Sequence, residues 1–151
     1  MLFVLTMMKK TILPVQLLFI EDDGYHLLIH ALINNRKAWM LIDTGASKTV
    51  FDKERIKKFA DEKDFELNEK LSTGLGTSTM QTHSIVLKKM QLGELVLKNF
   101  KTILLDLSHV NESYSKLNLP VIEGVLGSDL MVQYKAVIDY KTKEIKLRWK
   151  S

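Results

Sequence analysis

The chain has 151 residues, 46% of them hydrophobic and 26% charged, which is enough for one packed domain and too little for two full cores. It carries no cysteine, so disulfide scaffolds, thiolate nucleophiles and cysteine zinc sites are excluded together. The net charge of +4 comes from lysines scattered among acids, not from the basic stripe that nucleic-acid binding requires.

At the N-terminus, Met1–Met8 is apolar but far shorter than the ~20 residues needed to span a bilayer. Lys9 and Lys10 follow that run, the reverse of signal-peptide order. Pro14 and Gln16 interrupt the next apolar run, Ile12–Ile20, and Glu21-Asp22-Asp23 after it offers no small-residue cleavage site. Residues 1–20 therefore read as an N-terminal segment contributing a first strand, and a cytoplasmic protein is expected, with an export signal as the alternative.

Short strands follow. Tyr25–Ile33 lies between the turn formers Asp23-Gly24 and Asn34-Asn35, and the asparagine pair predicts a tight hairpin into Lys37–Ile42. Asp52 is placed to cap a short helix over Lys53–Phe59, whose Ile56 and Phe59 share a face. Asp61–Glu69 is strongly charged and expected to be exposed. Strands resume at Ser84–Leu92 and Leu95–Leu105 around a Gly93-Glu94 turn. Leu107–Leu119 is polar and partly helical, ending at Pro120, and Val121–Leu126 is strand-like. Leu130–Tyr134 reads as a short helix with Ser128 or Asp129 near its cap. Ala136–Tyr140 and Glu144–Trp149 are final strands around Lys141-Thr142-Lys143, with Lys146, Arg148 and Lys150 read as the solvated face of the last one, a phosphate-binding face being the alternative. Seven or eight strands and two short helices predict a mainly β fold with barrel-like or sandwich closure.

Chemistry concentrates at Met40-Leu41-Ile42-Asp43-Thr44-Gly45-Ala46-Ser47. An acid leaving a buried strand is expected to have little water around it and to be held by hydrogen bonds. Gly45 lets a backbone N–H approach that carboxylate, and the Thr44 hydroxyl can lock the loop. The bland alternative is a turn with a helix-capping Asp, since Asp-Thr-Gly is short. Elsewhere, Gly74-Leu75-Gly76 lacks the strand–loop–helix frame and Lys-Ser/Thr of a phosphate loop. His26 and His30 share a strand face about 13 Å apart, too far for one metal, and read as surface histidines. Trp39 and Trp149 read as core or interface residues, and His83 and His109 have no evident partner.

The apolar run into Asp43-Thr44-Gly45, with Ala46 and Ser47 after it, resembles the active-site signature of retropepsin-like aspartic proteases. Val125-Leu126-Gly127 resembles the family's second element, two apolar residues and a glycine that pack against the catalytic loop. Between them, Ser72–Met80 falls where the family carries its flap hairpin, which assigns Gly74, Leu75, Gly76 and Met80 to the flap and substrate contacts. The resemblance spans Tyr25 to Arg148 and makes residues 21–151 a retropepsin-like domain of acid-protease fold. Ser47 and Ser128 stand where viral members pair an acid with an arginine, so the layout is closer to the cellular and bacterial branch. Gly127-Ser128-Asp129-Leu130-Met131 and the Ile138-Asp139 to Ile145 strand pair also fit that branch.

What the resemblance implies is an aspartic endopeptidase acting through an activated water, with no metal or organic cofactor. That chemistry takes two close carboxylates sharing a proton, because two like charges about 3 Å apart cannot both ionise. The chain holds no second Asp-Thr/Ser-Gly, and Asp129 has a capping or loop-fixing setting. The second carboxylate is then the Asp43 of another copy across a two-fold axis. Expected partners are a second copy and an extended peptide, with neither nucleic acid nor membrane. A non-catalytic dimerisation or peptide-binding module on the same fold is the alternative.

Overall fold

The computed structural model describes residues 5–68 and 82–151. In chain order its elements are β1 (Met8–Pro14), β2 (Gln16–Ile20), β3 (Gly24–Ile33), β4 (Arg36–Ile42), β5 (Val50–Asp52), β6 (Glu66–Asn68), β7 (Thr82–Leu92), β8 (Leu95–Leu105), α1 (Ser108–Lys116), β9 (Gly124–Leu126), α2 (Ser128–Gln133), β10 (Val137–Asp139) and β11 (Glu144–Lys150). Single 3₁₀ turns cover Arg55–Lys58 and Glu62–Asp64. The mainly β fold expected from the sequence is the fold observed.

Eight strands form one sheet in the order β2-β3-β4-β9-β5-β8-β7-β6, and β3 pairs a second time with β7 through Leu32–Gln91 and Ile33–Met90. That extra pairing turns the ladder from β3 to β7 into a closed circuit. A smaller sheet, β1-β11-β10, packs beside it. The run read as one first strand is two: β1 ends at Pro14, which cannot donate to a ladder, and joins β11, while β2 joins β3. Val15 N–H caps the break by donating to Lys143 O (2.9 Å).

The consecutive apolar residues Leu27-Leu28-Ile29 are all buried because β3 is covered on both faces. Leu27, Ile29 and Ile33 enter the main core with Met40, Phe51 and Leu87, whereas Leu28 faces a second cluster with Leu18, Tyr114 and Ile122. The hairpin between β3 and β4 turns on Asn34 and Asn35, both left-handed (φ 49° and 67°), a conformation asparagine tolerates better than most residues. The helix expected over Lys53–Phe59 is only a 3₁₀ turn, begun by the Asp52 carboxylate, which accepts from Arg55 N–H (2.8 Å). Strand pairing in the Val121–Leu126 run is confined to its last three residues.

Candidate active site

Strand register brings the two sequence motifs together. β4 and β9 run parallel with Met40, Leu41 and Ile42 opposite Gly124, Val125 and Leu126, so the next residues, Asp43 and Gly127, leave side by side. Asp43 N–H continues the ladder by donating to Leu126 O (3.0 Å). After the loop, β5 pairs with the other edge of β9 through Val50–Val125. Residues 43–49 therefore pass across the end of β9.

That crossing sets the requirement for glycine at position 127. A Cβ there would lie 2.6 Å from both the carbonyl carbon and oxygen of Lys48, backbone that cannot step aside cheaply. Gly45 is less constrained within the chain, since its Cβ would meet only an Asp43 carboxylate oxygen at 3.3 Å. Its N–H donates to Asp43 Oδ1 (2.9 Å), the contact expected from Asp-Thr-Gly. The tip of the loop differs from expectation: Ile42 is buried, but Asp43, Thr44 and Gly45 are exposed and Asp43 is open to water in the single chain. The strand ends one residue before the acid, so the carboxylate projects beyond the sheet instead of lying in it.

The residue that fixes the loop is Thr49, which is 2% exposed. Its hydroxyl donates to Asp129 Oδ1 (2.8 Å) and accepts from Gly127 N–H (3.0 Å). Its own N–H donates to the same Asp129 oxygen (3.0 Å), and its carbonyl accepts from the Thr102 hydroxyl (3.0 Å). Thr44, the residue expected to lock the loop, has no side-chain hydrogen bond among the described residues. Asp129 was expected near the cap of α2. Of the two settings expected for it, capping or loop-fixing, the second is observed: its side chain reaches across to Thr49, and Gly127 occupies the cap position without a side-chain bond. Ala46 O accepts from Ser128 N–H (2.7 Å), a second tie between the two motifs.

Just upstream of β9 the buried Glu123 accepts from Arg55 Nη2 (2.7 Å) and Nε (3.2 Å) and from Trp39 N–H. Asp52, also buried, accepts from Arg55 N–H and Leu107 N–H, both at 2.8 Å. These bonds anchor β4, β5 and β9 to each other below the loop. Sequence reading passed over Thr49, Glu123 and Arg55, because nothing local marks a threonine before Val-Phe or a glutamate before Gly-Val as bonded to residues 53 or more positions away.

Asp43 and Thr44 border a recess of about 300 Å³ whose other walls include Tyr25, Leu27, Leu41, Ile138 and Tyr140. His26 lies at its edge and is not a free surface histidine: Tyr114 O–H donates to Nδ1 (2.5 Å) and Nε2–H donates to Asp23 Oδ2 (2.8 Å). Burial, and then the charge of Asp23, push the Tyr114 phenol up to about 12, which keeps it a donor. His30 stacks on Trp39 with ring centroids 3.6 Å apart. Gly74, Leu75, Gly76 and Met80 lie outside the described residues. Among the described residues no three His, Asp or Glu side chains cluster as a metal site.

The sequence model described as aspartyl protease matches residues 29–130, a span holding both motifs and the loop between them. The chain belongs to the aspartyl protease family. Among solved structures, a retropepsin-like aspartic protease from Rickettsia conorii is similar, at 23% identity over 97% of this chain and 95% of that one, with a TM-score of 0.58. The retroviral protease-like domain of Ddi1 from Leishmania major is 14% identical over 77% of this chain and 82% of that one, with a TM-score of 0.52. At these identities the likeness concerns the fold. No curated protein sequence matches.

Proposed function

We propose that this aspartyl protease family member is an endopeptidase whose active site forms when two copies bring their Asp43 carboxylates together. The observation that carries the reading is Asp43 itself, an exposed carboxylate at the tip of a loop whose base is fixed by buried hydrogen bonds. One carboxylate cannot both activate water and polarise a carbonyl. Two sharing a proton can, one as base and the other as acid, and their titration then belongs to the pair. A two-fold axis beside Asp43 supplies the second without any further residue and withdraws both from bulk water. The unengaged Thr44 hydroxyl is then free to bond across the interface.

The scissile peptide lies extended over the paired acids. The recess beside Asp43, walled by Leu27, Leu41, Ile138 and the two tyrosines, takes an apolar side chain next to the bond that breaks. The flap assignment of Gly74, Leu75, Gly76 and Met80 adds backbone pairing to the substrate from above. Ser47 and Ser128 fill the viral ion-pair positions together, so no buried charge is left unpaired.

The test is Asp43→Asn, alone and mixed with wild type. The variant should fold and dimerise but lose peptidase activity. Because a mixed dimer has one carboxylate, excess variant should suppress the wild-type enzyme below simple dilution. Retained activity in Asp43→Asn overturns the mechanism, and mere dilution on mixing overturns the shared site. If wild type is dimeric yet neither cleaves peptides nor gains thermal stability from a statine peptide, the chain is the non-catalytic binding module.

A further inference from the structure

The small sheet β1-β11-β10 has an outer face that the active site leaves unused. Directly paired residues share a face, so the register places Met8, Lys10 and Ile12 of β1 beside Lys150, Arg148 and Lys146 of β11, with Val137 of β10 next to Lys146. Acids appear on this face only at its far end, as Glu144 and Asp139. The near end opens into a recess of about 430 Å³ whose lining includes Lys135, Arg148, Lys150, Tyr134 and Trp149 and no carboxylate. None of these cations joins an ion pair among the described residues. Exposed apolar side chains surround the same end: Leu5 is 83% exposed, Met7 64% and Met8 52%.

We propose that this end of the molecule is a docking surface for an anionic membrane, holding lipid phosphates in the Lys135–Arg148–Lys150 recess and seating Leu5, Met7 and Met8 among the acyl chains. A second copy is a poor occupant, because a two-fold contact through this face would set its cations against their own images. A soluble phosphate would satisfy the cations but leave the apolar rim in water. A bilayer satisfies both, and neither signal alone gives lasting attachment, whereas apolar insertion and a polybasic patch together do. Tyr134 and Trp149, with an apolar body and a polar edge, suit the headgroup level. The attachment proposed is peripheral; no helix among the described residues is long and apolar enough to cross a membrane.

Co-sedimentation of the full chain with vesicles tests the proposal. Vesicles of phosphatidylcholine containing phosphatidylserine should bring the protein down at about 0.1 M salt and release it at about 0.5 M, and pure phosphatidylcholine should not. Each cation contributes about fivefold, so Lys135→Gln/Arg148→Gln/Lys150→Gln should weaken binding about 100-fold. Leu5→Ser/Met7→Ser, with the charge untouched, should weaken it at least about tenfold. All five side chains are exposed, and circular dichroism with the melting temperature checks that each variant folds. Failure to bind the mixed vesicles, equal binding to neutral ones, or tighter binding to single-stranded RNA or duplex DNA would overturn it. So would unchanged binding in either multiple variant.

Discussion

Replacing Thr49 with valine removes one hydroxyl at nearly constant shape and asks whether that residue holds the Asp43 loop. Two bonds go: the donation to the Asp129 carboxylate at 2.8 Å and the acceptance from Gly127 N–H at 3.0 Å. A bond to a charged group contributes about 1.5–3 kcal/mol, and a buried N–H left without a partner costs about 1–3 kcal/mol. Asp129 keeps the Thr49 N–H, which moderates the first figure. The losses share partners and do not add fully, so the expected destabilisation is about 3 kcal/mol. For a chain of this length that corresponds to a fall in melting temperature of about 6–12 °C. Urea denaturation with an unchanged m-value measures the same quantity independently. Thr49→Ser supplies the control, since it keeps the hydroxyl and loses one buried methyl, at about 1 kcal/mol. A valine variant as stable as the serine variant would refute the assignment of Thr49 as the fixing residue.

Gly127→Ala should destabilise the fold by about 2–3 kcal/mol in the same denaturation assay, whereas Gly45→Ala should cost less than about 1 kcal/mol, because the first Cβ meets backbone at 2.6 Å and the second a side-chain oxygen at 3.3 Å. Glu123→Ala strands Arg55 and Trp39 N–H and should cost about 3 kcal/mol, the low end for a buried pair because the Arg55 side chain is 25% exposed and recovers some water. Burial and then the charge of Lys37 hold the His30 imidazole below its ordinary value. A depressed histidine contributes stability that is present above its unfolded value of about 6.5 and lost as pH falls through the lower folded one. The melting temperature of wild type should therefore fall further than that of His30→Gln between about pH 7 and pH 5, and parallel curves would sink the assignment.

The parts of this fold legible in the sequence are those with local causes. Asn34-Asn35 announced the hairpin because few residue pairs accept two left-handed conformations in succession. Asp43 and Gly45 could be picked out because an apolar run leads into a glycine-bearing turn, and Val125-Leu126-Gly127 through its resemblance to the family's second element. What was hidden is non-local. The parallel register of β4 with β9 is set by contacts between residues 84 apart, and it is this register that puts Asp43 next to Gly127. Asp129 read locally as either a helix cap or a loop-fixing acid, and the choice between them rests on a threonine 80 residues earlier that takes its carboxylate. The exposure of Asp43 was mispredicted for a related reason: an apolar run shows that a strand is buried, not where the sheet stops.

The exposure of Asp43 and the depth of the contacts beneath it belong to one design. The loop across β9 is tied down by Thr49, Asp129, Ser128 and Gly127, and the strands below it by Glu123, Arg55 and Asp52, all within the single chain. Thus the backbone that carries the acid does not need a partner in order to be ordered. The tip, Asp43, Thr44 and Gly45, is open to solvent: the Asp43 backbone is tied to Leu126 O and Ala46 N–H, and its carboxylate is held by the Gly45 N–H alone among the described residues. In the proposed dimer, association would therefore not need to fold the loop and would spend little free energy on ordering it. It would supply the second carboxylate and exclude water, the two things the single chain lacks. Mutations at Thr49 or Gly127 should then act on stability and activity together, while a change confined to Asp43 should remove activity from a protein that still folds and pairs.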